Sequence, residues 1–191
     1  ITYDASGNPA VVASGTSGHF LKSQGADTVP VFAAAGGGKI GQVVTTSSDS
    51  TFNTNSSTPV DLYTVDITPS ASSSTILLTV SINWSSLTHN LYGFGRFVRD
   101  STAIGIGSNG TNRQVCSSSY QNADADSEYK MNTSTMTYID SPSSTSAITY
   151  RFQIWINSGG ATFTVNYTGI DIDVNYIGRA ISTMTAMEIL A

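Results

Sequence analysis

Charge is scarce in this sequence: eight basic and 13 acidic residues supply 11% of 191 positions, less than half the roughly 25% of ordinary soluble domains. The formal net charge is −5, and no basic cluster occurs along the chain. This argues against a sequence-independent grip on nucleic acid, which needs grouped Lys and Arg. Cysteine is nearly absent. Cys116 alone cannot build an internal disulfide framework, and with only His19 and His89 no Cys/His spacing resembles a zinc site. No run approaches the roughly 20 apolar residues of a membrane-spanning helix, and no charged-then-apolar leader is present. Neither nucleic acid, membrane insertion, metal nor any other cofactor is therefore expected. The chain begins at Ile1 without a methionine, and we expect it to be the C-terminal piece of something longer.

Hydroxyl side chains fill the space that charge leaves, with 29 Ser and 25 Thr. Ser competes with the helix backbone for hydrogen bonds and Thr is stiff at χ1, so the composition favours strands and loops. The clearest strand lies at residues 147–156. Ile148, Tyr150, Phe152, Ile154 and Ile156 share one face, and Arg151, Gln153 and Trp155 lie on the other. Five large apolar side chains on one face demand a covering layer, which predicts a two-sheet antiparallel structure. The opposite face suits water or a subunit contact, the latter favoured for Trp155.

Residues 1–38 are punctuated by turn signals with short apolar pieces between them, and such a segment buries no core alone. After Gly38 strands are expected at 39–46, 59–68, 75–84, 91–98, 103–106, 129–139, 162–167 and 181–190. Ile76, Leu78, Val80, Ile82 and Trp84 align in the third, the expected core partner of 147–156. Residues 162–167 are expected to form a hairpin with 147–156 across the Asn157-Ser-Gly-Gly160 turn. Gly93 and Gly95 share a face, which weakens a strand unless a backbone or large ring approaches closely. The prediction is an all-β fold: an antiparallel β-sandwich of jelly-roll type over residues 39–191, preceded by an extended, shaft-like segment over 1–38.

Gly15-Thr-Ser-Gly18 with Leu21, Gly25, Pro30 and Phe32 resembles the G-T-x-G-x-x-L-x-x-x-G-x-x-x-x-P-x-(F/W) segment of bacteriophage tail fibres. Residues 39–191 are similar to a module at the C-termini of phage structural and tail-fibre proteins. That likeness rests on Asp66-Ile-Thr-Pro-Ser70, Arg96-Phe-Val-Arg-Asp-Ser-Thr-Ala-Ile104, Tyr138-Ile-Asp-Ser-Pro142 and Ser182-Thr-Met-Thr-Ala-Met-Glu-Ile189. The resemblance implies a non-enzymatic virion protein made in the host cytoplasm: a homotrimeric fibre head that attaches to a bacterial surface glycan or protein. Its N-terminal segment would join other virion proteins. A capsid decoration, head fibre or other structural component is the alternative. Family members read R-D-G-T where this chain has Arg99-Asp-Ser-Thr102, and Ser101 is poorer than Gly at positive φ, which puts the tight turn in question.

The aperiodic stretch 107–128 is the expected recognition surface, because loops longer than about 12–15 residues in compact domains are often functional. Its candidate receptor-binding residues are Asn109, Asn112, Arg113, Tyr120 and Asn122. Trp84, Tyr92, Tyr120 and Trp155 offer rings as stacking faces for a sugar, Tyr120 being preferred. Asp124, Asp126 and Glu128 could converge on Ca²⁺, but the EF-hand glycine and terminal acid are missing, so a solvated acidic loop is expected; the same holds for Asp171 and Asp173. No nucleophile elbow surrounds any Ser, and the repeat period of large β-helical depolymerases is absent, so no catalytic residues are expected.

Overall fold

A computed structural model describes residues 2–3, 6–12, 14–26, 28–34, 39–88, 90–108, 111–122, 127–157 and 160–191. The chain divides into two compact units, Ile1–Gly38 and Lys39–Ala191. In the first, β1 (Thr2–Tyr3) pairs with β2 (Pro9–Ala10) and β3 (His19–Lys22) with β4 (Val31–Ala34), both antiparallel. All four residues of β3 are exposed, and Val31 and Phe32 are exposed on β4. The glycines have local work. Gly18 and Gly25 take φ of 85° and 106°, which L side chains rarely adopt. At Gly15 a Cβ would lie 2.5 Å from the Phe32 ring, which packs directly on its backbone.

The second unit contains β5 (Ile40–Ser48), β6 (Phe52–Thr54), β7 (Val60–Ile67), β8 (Thr75–Ser86), β9 (Leu91–Arg99), β10 (Thr102–Ile104) and β11 (Ser118–Asn122). A 3-10 turn at Ser127–Tyr129 precedes β12 (Asn132–Asp140), β13 (Ile148–Ile156), β14 (Phe163–Val165) and β15 (Ser182–Ile189). Every pairing is antiparallel. One sheet runs β7-β13-β9, with β10 and β11 sharing the outer edge of β9. The other places β12 on one side of β8 and β15 then β14 on the other, with β5 beside β15 and β6 beside β14.

Counting β5/β6, β10/β11 and β15/β14 as interrupted single strands gives the order 1-8-3-6 over 2-7-4-5. First pairs with eighth, second with seventh, third with sixth and fourth with fifth. A long antiparallel hairpin rolled over on itself produces this order, the double Greek key of a jelly roll.

Alternation decides which faces meet. Ile148, Tyr150, Phe152, Ile154 and Ile156 on β13 join one core with Ile76, Leu78, Val80, Ile82 and Trp84 on β8. Each such side chain contributes about 1.5–3 kcal/mol when fully buried, so two central strands hold the layers together. Gly93 and Gly95 on β9 face this core. A Cβ at Gly93 would meet Phe163 at 2.7 Å, and one at Gly95 would meet Phe152 at 2.6 Å. The aromatic rings occupy the volume that the glycines leave.

Two expectations need correction. β14 forms no hairpin with β13; it crosses to the other sheet and pairs with β8 and β6, because Phe163 and Val165 bury fully among the inward side chains there. The tight turn at Asp100-Ser101 does form, since Thr102 pairs with Arg99. Asp100, not Ser101, takes positive φ, 53°, and its Oδ1 accepts the Thr149 N–H at 3.0 Å while its own N–H donates to Thr149 O at 2.8 Å. Residues 168–181, where Asp171 and Asp173 lie, form no strand. Among the described residues no helix is long and apolar enough to cross a membrane.

Candidate recognition surface

The described residues of 107–128 include an exposed segment at 111–114, the strand β11 and the start of the 3-10 turn at Ser127–Tyr129. The Gly107 N–H donates to Cys116 O at 3.0 Å and the Ser117 N–H to Gly95 O at 2.8 Å, which closes the loop at its base and fastens it to β9. The Ser117 hydroxyl accepts the Phe97 N–H at 3.2 Å and donates to Ile104 O at 3.3 Å. Residues 111–114 are exposed, so Asn112 and Arg113 face solvent. Among the described residues Arg113 has no ion-pair partner. Asn109 lies outside the described residues.

Tyr120 and Asn122 are not surface groups. Both sit on β11, where pairing of Tyr120 with Gly93 turns the ring inward. Tyr120 is 3% exposed and packs edge-on against Trp84 at 5.4 Å and Phe163 at 5.3 Å. Burial pushes its phenol up to about 12, with a hydrogen bond from Ser118 opposing and the nearby Cys116 adding to the rise. Asn122 is likewise buried. Two glycines on β9 leave a trough for Tyr120, and that pairing is invisible in the aperiodic local sequence.

Trp155 is also covered, by its own chain. It lies on the outer face of β13 but is only 3% exposed. Phe94 tilts against it at 5.6 Å, the Arg96 guanidinium lies 5.6 Å over its ring, and its indole N–H donates to Gln114 Oε1 at 3.2 Å. The expected subunit contact through Trp155 is therefore wrong. The tryptophan instead anchors the residue next to Arg113. Trp84 is buried too, its N–H given to Ser134 Oγ at 2.9 Å, while Tyr92 is 47% exposed.

The buried ionisable groups that sequence reading missed serve structure. Asp140 accepts both the Arg99 guanidinium, at 2.9 and 3.0 Å, and the Tyr150 hydroxyl, at 2.6 Å. Burial and the Asp140 carboxylate raise the Tyr150 phenol far above its ordinary range. Glu188, fully buried on β15, accepts the Ser70 N–H and hydroxyl at 2.7 Å each and the Gln42 amide at 2.9 Å. Burial acts to raise its carboxyl, but the hydrogen bonds outweigh it and hold the value down to about 2. Gly41 makes room, since a Cβ there would lie 2.7 Å from Glu188 Oε2. A glutamate in an alternating strand carries no signal that its partners lie 118 and 146 residues away.

Asp171 is committed to Arg179 through contacts of 3.0 and 2.5 Å. The two residues line an open cavity of about 360 Å³ with Ile172, Asp173 and Ile177. Asp124, Asp126 and His89 lie outside the described residues; His19 is exposed on β3. Among the described residues no group of three or more His, Cys, Asp or Glu side chains could hold a metal ion.

No family model matches the chain, and no curated protein does. Among solved structures, it is similar to the VP2 subviral particle of infectious bursal disease virus, with 13% identity and a TM-score of 0.44 over 90% of this chain and 42% of that one. It is also similar to T=1 particles derived from infectious bursal virus, with 13% identity and a TM-score of 0.43 over 97% of this chain and 45% of that one. The chain spans less than half the length of these proteins. Likeness of this degree assigns it no activity.

Proposed function

We propose that the chain is a non-enzymatic component of a bacteriophage particle: the head and shaft end of a homotrimeric fibre that attaches to a bacterial surface. The observation that carries this reading is the exposure of Phe20, Leu21, Val31 and Phe32 in the N-terminal unit. A two-stranded ribbon is marginal at best by itself, and apolar side chains left open on it gain stability when identical ribbons of neighbouring chains cover them. The sequence resemblance to fibre segments falls on this same stretch, at Gly15, Gly18, Gly25 and Phe32.

Attachment is assigned to the loop that presents Asn112 and Arg113. Its root is fixed to β9 and to Trp155, so the exposed tip is held in place without being covered. Arg113 offers a planar five-donor fork and Asn112 an amide, a pair suited to hydroxyl-rich or anionic glycans. Three copies engaging a repetitive surface reinforce one another, and modest affinity per site suffices.

The test is binding of the labelled full chain to bacterial cells, with mass in solution measured on the same sample. A trimer that labels one host, is competed by that host's surface polysaccharide and loses binding in Asn112→Ala/Arg113→Ala with its mass unchanged would support the reading. A trimer that ignores cells but joins capsid or tail particles would make it a structural virion component instead.

A further inference from the structure

The two outer sheet faces of the second unit differ in charge. On the face formed by β7, β13 and β9, Arg151 pairs with Asp61 at 3.4 Å, Gln153 donates to Asp61 at 2.7 Å and accepts from Arg96 at 2.9 Å, and Thr149 donates to Asp66 at 2.6 Å. This is a sheet surface made for water. The outer face of β5, β15, β8 and β12 carries no charged side chain at all.

Cross-strand register arranges that second face in ranks. Val43, Met187, Leu77 and Ile139 form an apolar rank across the four strands. Two residues along, Thr45, Thr185, Thr79 and Thr137 form a rank of threonines. The next is again all hydroxyl: Ser47, Thr183, Ser81 and Thr135. Lys39, Asp49 and Lys130 stand beyond the strand ends, while Glu188 and Asp140 are buried.

The hydroxyls on this face are partly satisfied sideways. Thr45 and Thr185 share a hydrogen bond at 3.0 Å, Thr135 donates to Ser81 at 3.0 Å, and Thr133 donates to Asn83 at 2.6 Å. Lateral pairing lowers the cost of removing these groups from water, because a buried polar group is expensive chiefly when it has no partner. Val43 and Ile139 are each more than half exposed, so the apolar rank has surface left to bury.

We propose that this face is buried against further copies of the same chain, which rests on the copy-to-copy assembly put forward above and names the surface used. Identical chains of net charge −5 repel one another unless the surfaces brought together are neutral, and a face without charge meets itself without like-charge conflict. Four strands of about nine residues span roughly 19 by 30 Å, on the order of 600 Å² in projection. That is the scale of the roughly 800 Å² each partner contributes to a standard interface. The bordering edge strands agree: β5 has no charged residue and β12 has only the buried Asp140, so neither carries the Lys or Pro that blunts a solvent-facing edge.

The test uses the full chain with Cys116→Ser as background and single cysteines at exposed positions: Ser47→Cys and Thr137→Cys on the neutral face, and Ser119→Cys on β11 of the other sheet as control. Maleimide labelling and solution mass are followed together across a dilution series. In the assembled state the two face thiols should react at least ten-fold more slowly than the control, and the difference should vanish on dilution to single chains. Ile139→Lys should lower the mass at concentrations where the parent chain is assembled. An assembled chain whose face thiols label as fast as the control overturns the inference while leaving assembly intact. Protection that persists in single chains overturns it too, because the cover then belongs to the chain itself. A dimer with protected face thiols would support the buried face and overturn the trimer. A chain that stays single at every concentration overturns both readings.

Discussion

The Trp155 indole donates its N–H to the Gln114 side chain at 3.2 Å, tying the C-terminal end of a core strand to the residue beside Arg113. The bond bridges 41 positions of sequence and anchors one side of the exposed loop. Gln114→Ala should remove about 1 kcal/mol of hydrogen bonding, loosening the loop without unfolding the sandwich. Amide exchange should rise in residues 111–117, while the melting temperature falls by only a few degrees. A global loss of protection would show that the loop is part of the folding unit.

Gly93 and Gly95 face Phe163 and Phe152 at distances no Cβ can share. Gly93→Ala and Gly95→Ala should each cost about 1–3 kcal/mol through overpacking. Gly107→Ala is the control, since its Cβ would meet only Cys116 O at an ordinary 3.8 Å. Chemical denaturation of the three variants ranks them. Equal midpoints for all three would mean that the rings move aside freely.

Glu188 sets a pH dependence of known sign. Its carboxyl is held at about 2 in the folded chain, against an ordinary 4.5. A depressed folded value means that the contribution is complete above about pH 4.5 and is lost as pH falls from there toward 2. The linkage is worth up to about 3 kcal/mol. Glu188→Gln should be less stable at neutral pH, because an amide nitrogen would face the donors of Gln42 or Ser70, and its stability should change less between pH 5 and pH 2. Parallel unfolding curves at several pH values check both expectations.

Asp140 gathers Arg99 and Tyr150 at one buried point. Asp140→Ala leaves a guanidinium and a phenol without their shared acceptor and should cost about 2–3 kcal/mol, the upper range for hydrogen bonds to a charged group, since Arg99 keeps 30% of its side chain exposed. Tyr150→Phe removes one hydrogen bond and should cost about 1 kcal/mol. Similar losses for the two variants would count against Asp140 as the organising group.

Ser101→Gly should be close to neutral in stability, because the positive φ of this turn falls on Asp100, whose carboxylate and N–H are both bound to Thr149. Asp100→Ala should cost more, since it loses the carboxylate contact and leaves a side chain ill suited to φ 53°. Melting temperatures of the two variants test which residue governs the turn.

The sequence alone determined the character of the layers. Strict alternation in residues 75–84 and 147–156 specified two strands with apolar inner faces, because side chains of a strand alternate with a period of two whatever it pairs with. Spacing of Gly93 and Gly95 called for a close backbone or large ring, and rings are what approach, Phe163 and Phe152. Partnership was left to the tertiary structure. Phe163 and Val165 went to the opposite sheet, Tyr120 turned into the trough over Gly93, and Trp155 was covered by a loop 41 residues away. The threonine rank across β5, β15, β8 and β12 is likewise written into four separate stretches, none of which by itself names its neighbours. Period is a property of a few neighbouring residues, whereas pairing and register come from contacts between strands far apart in the chain, so only the folded sheet brings those threonines into one rank.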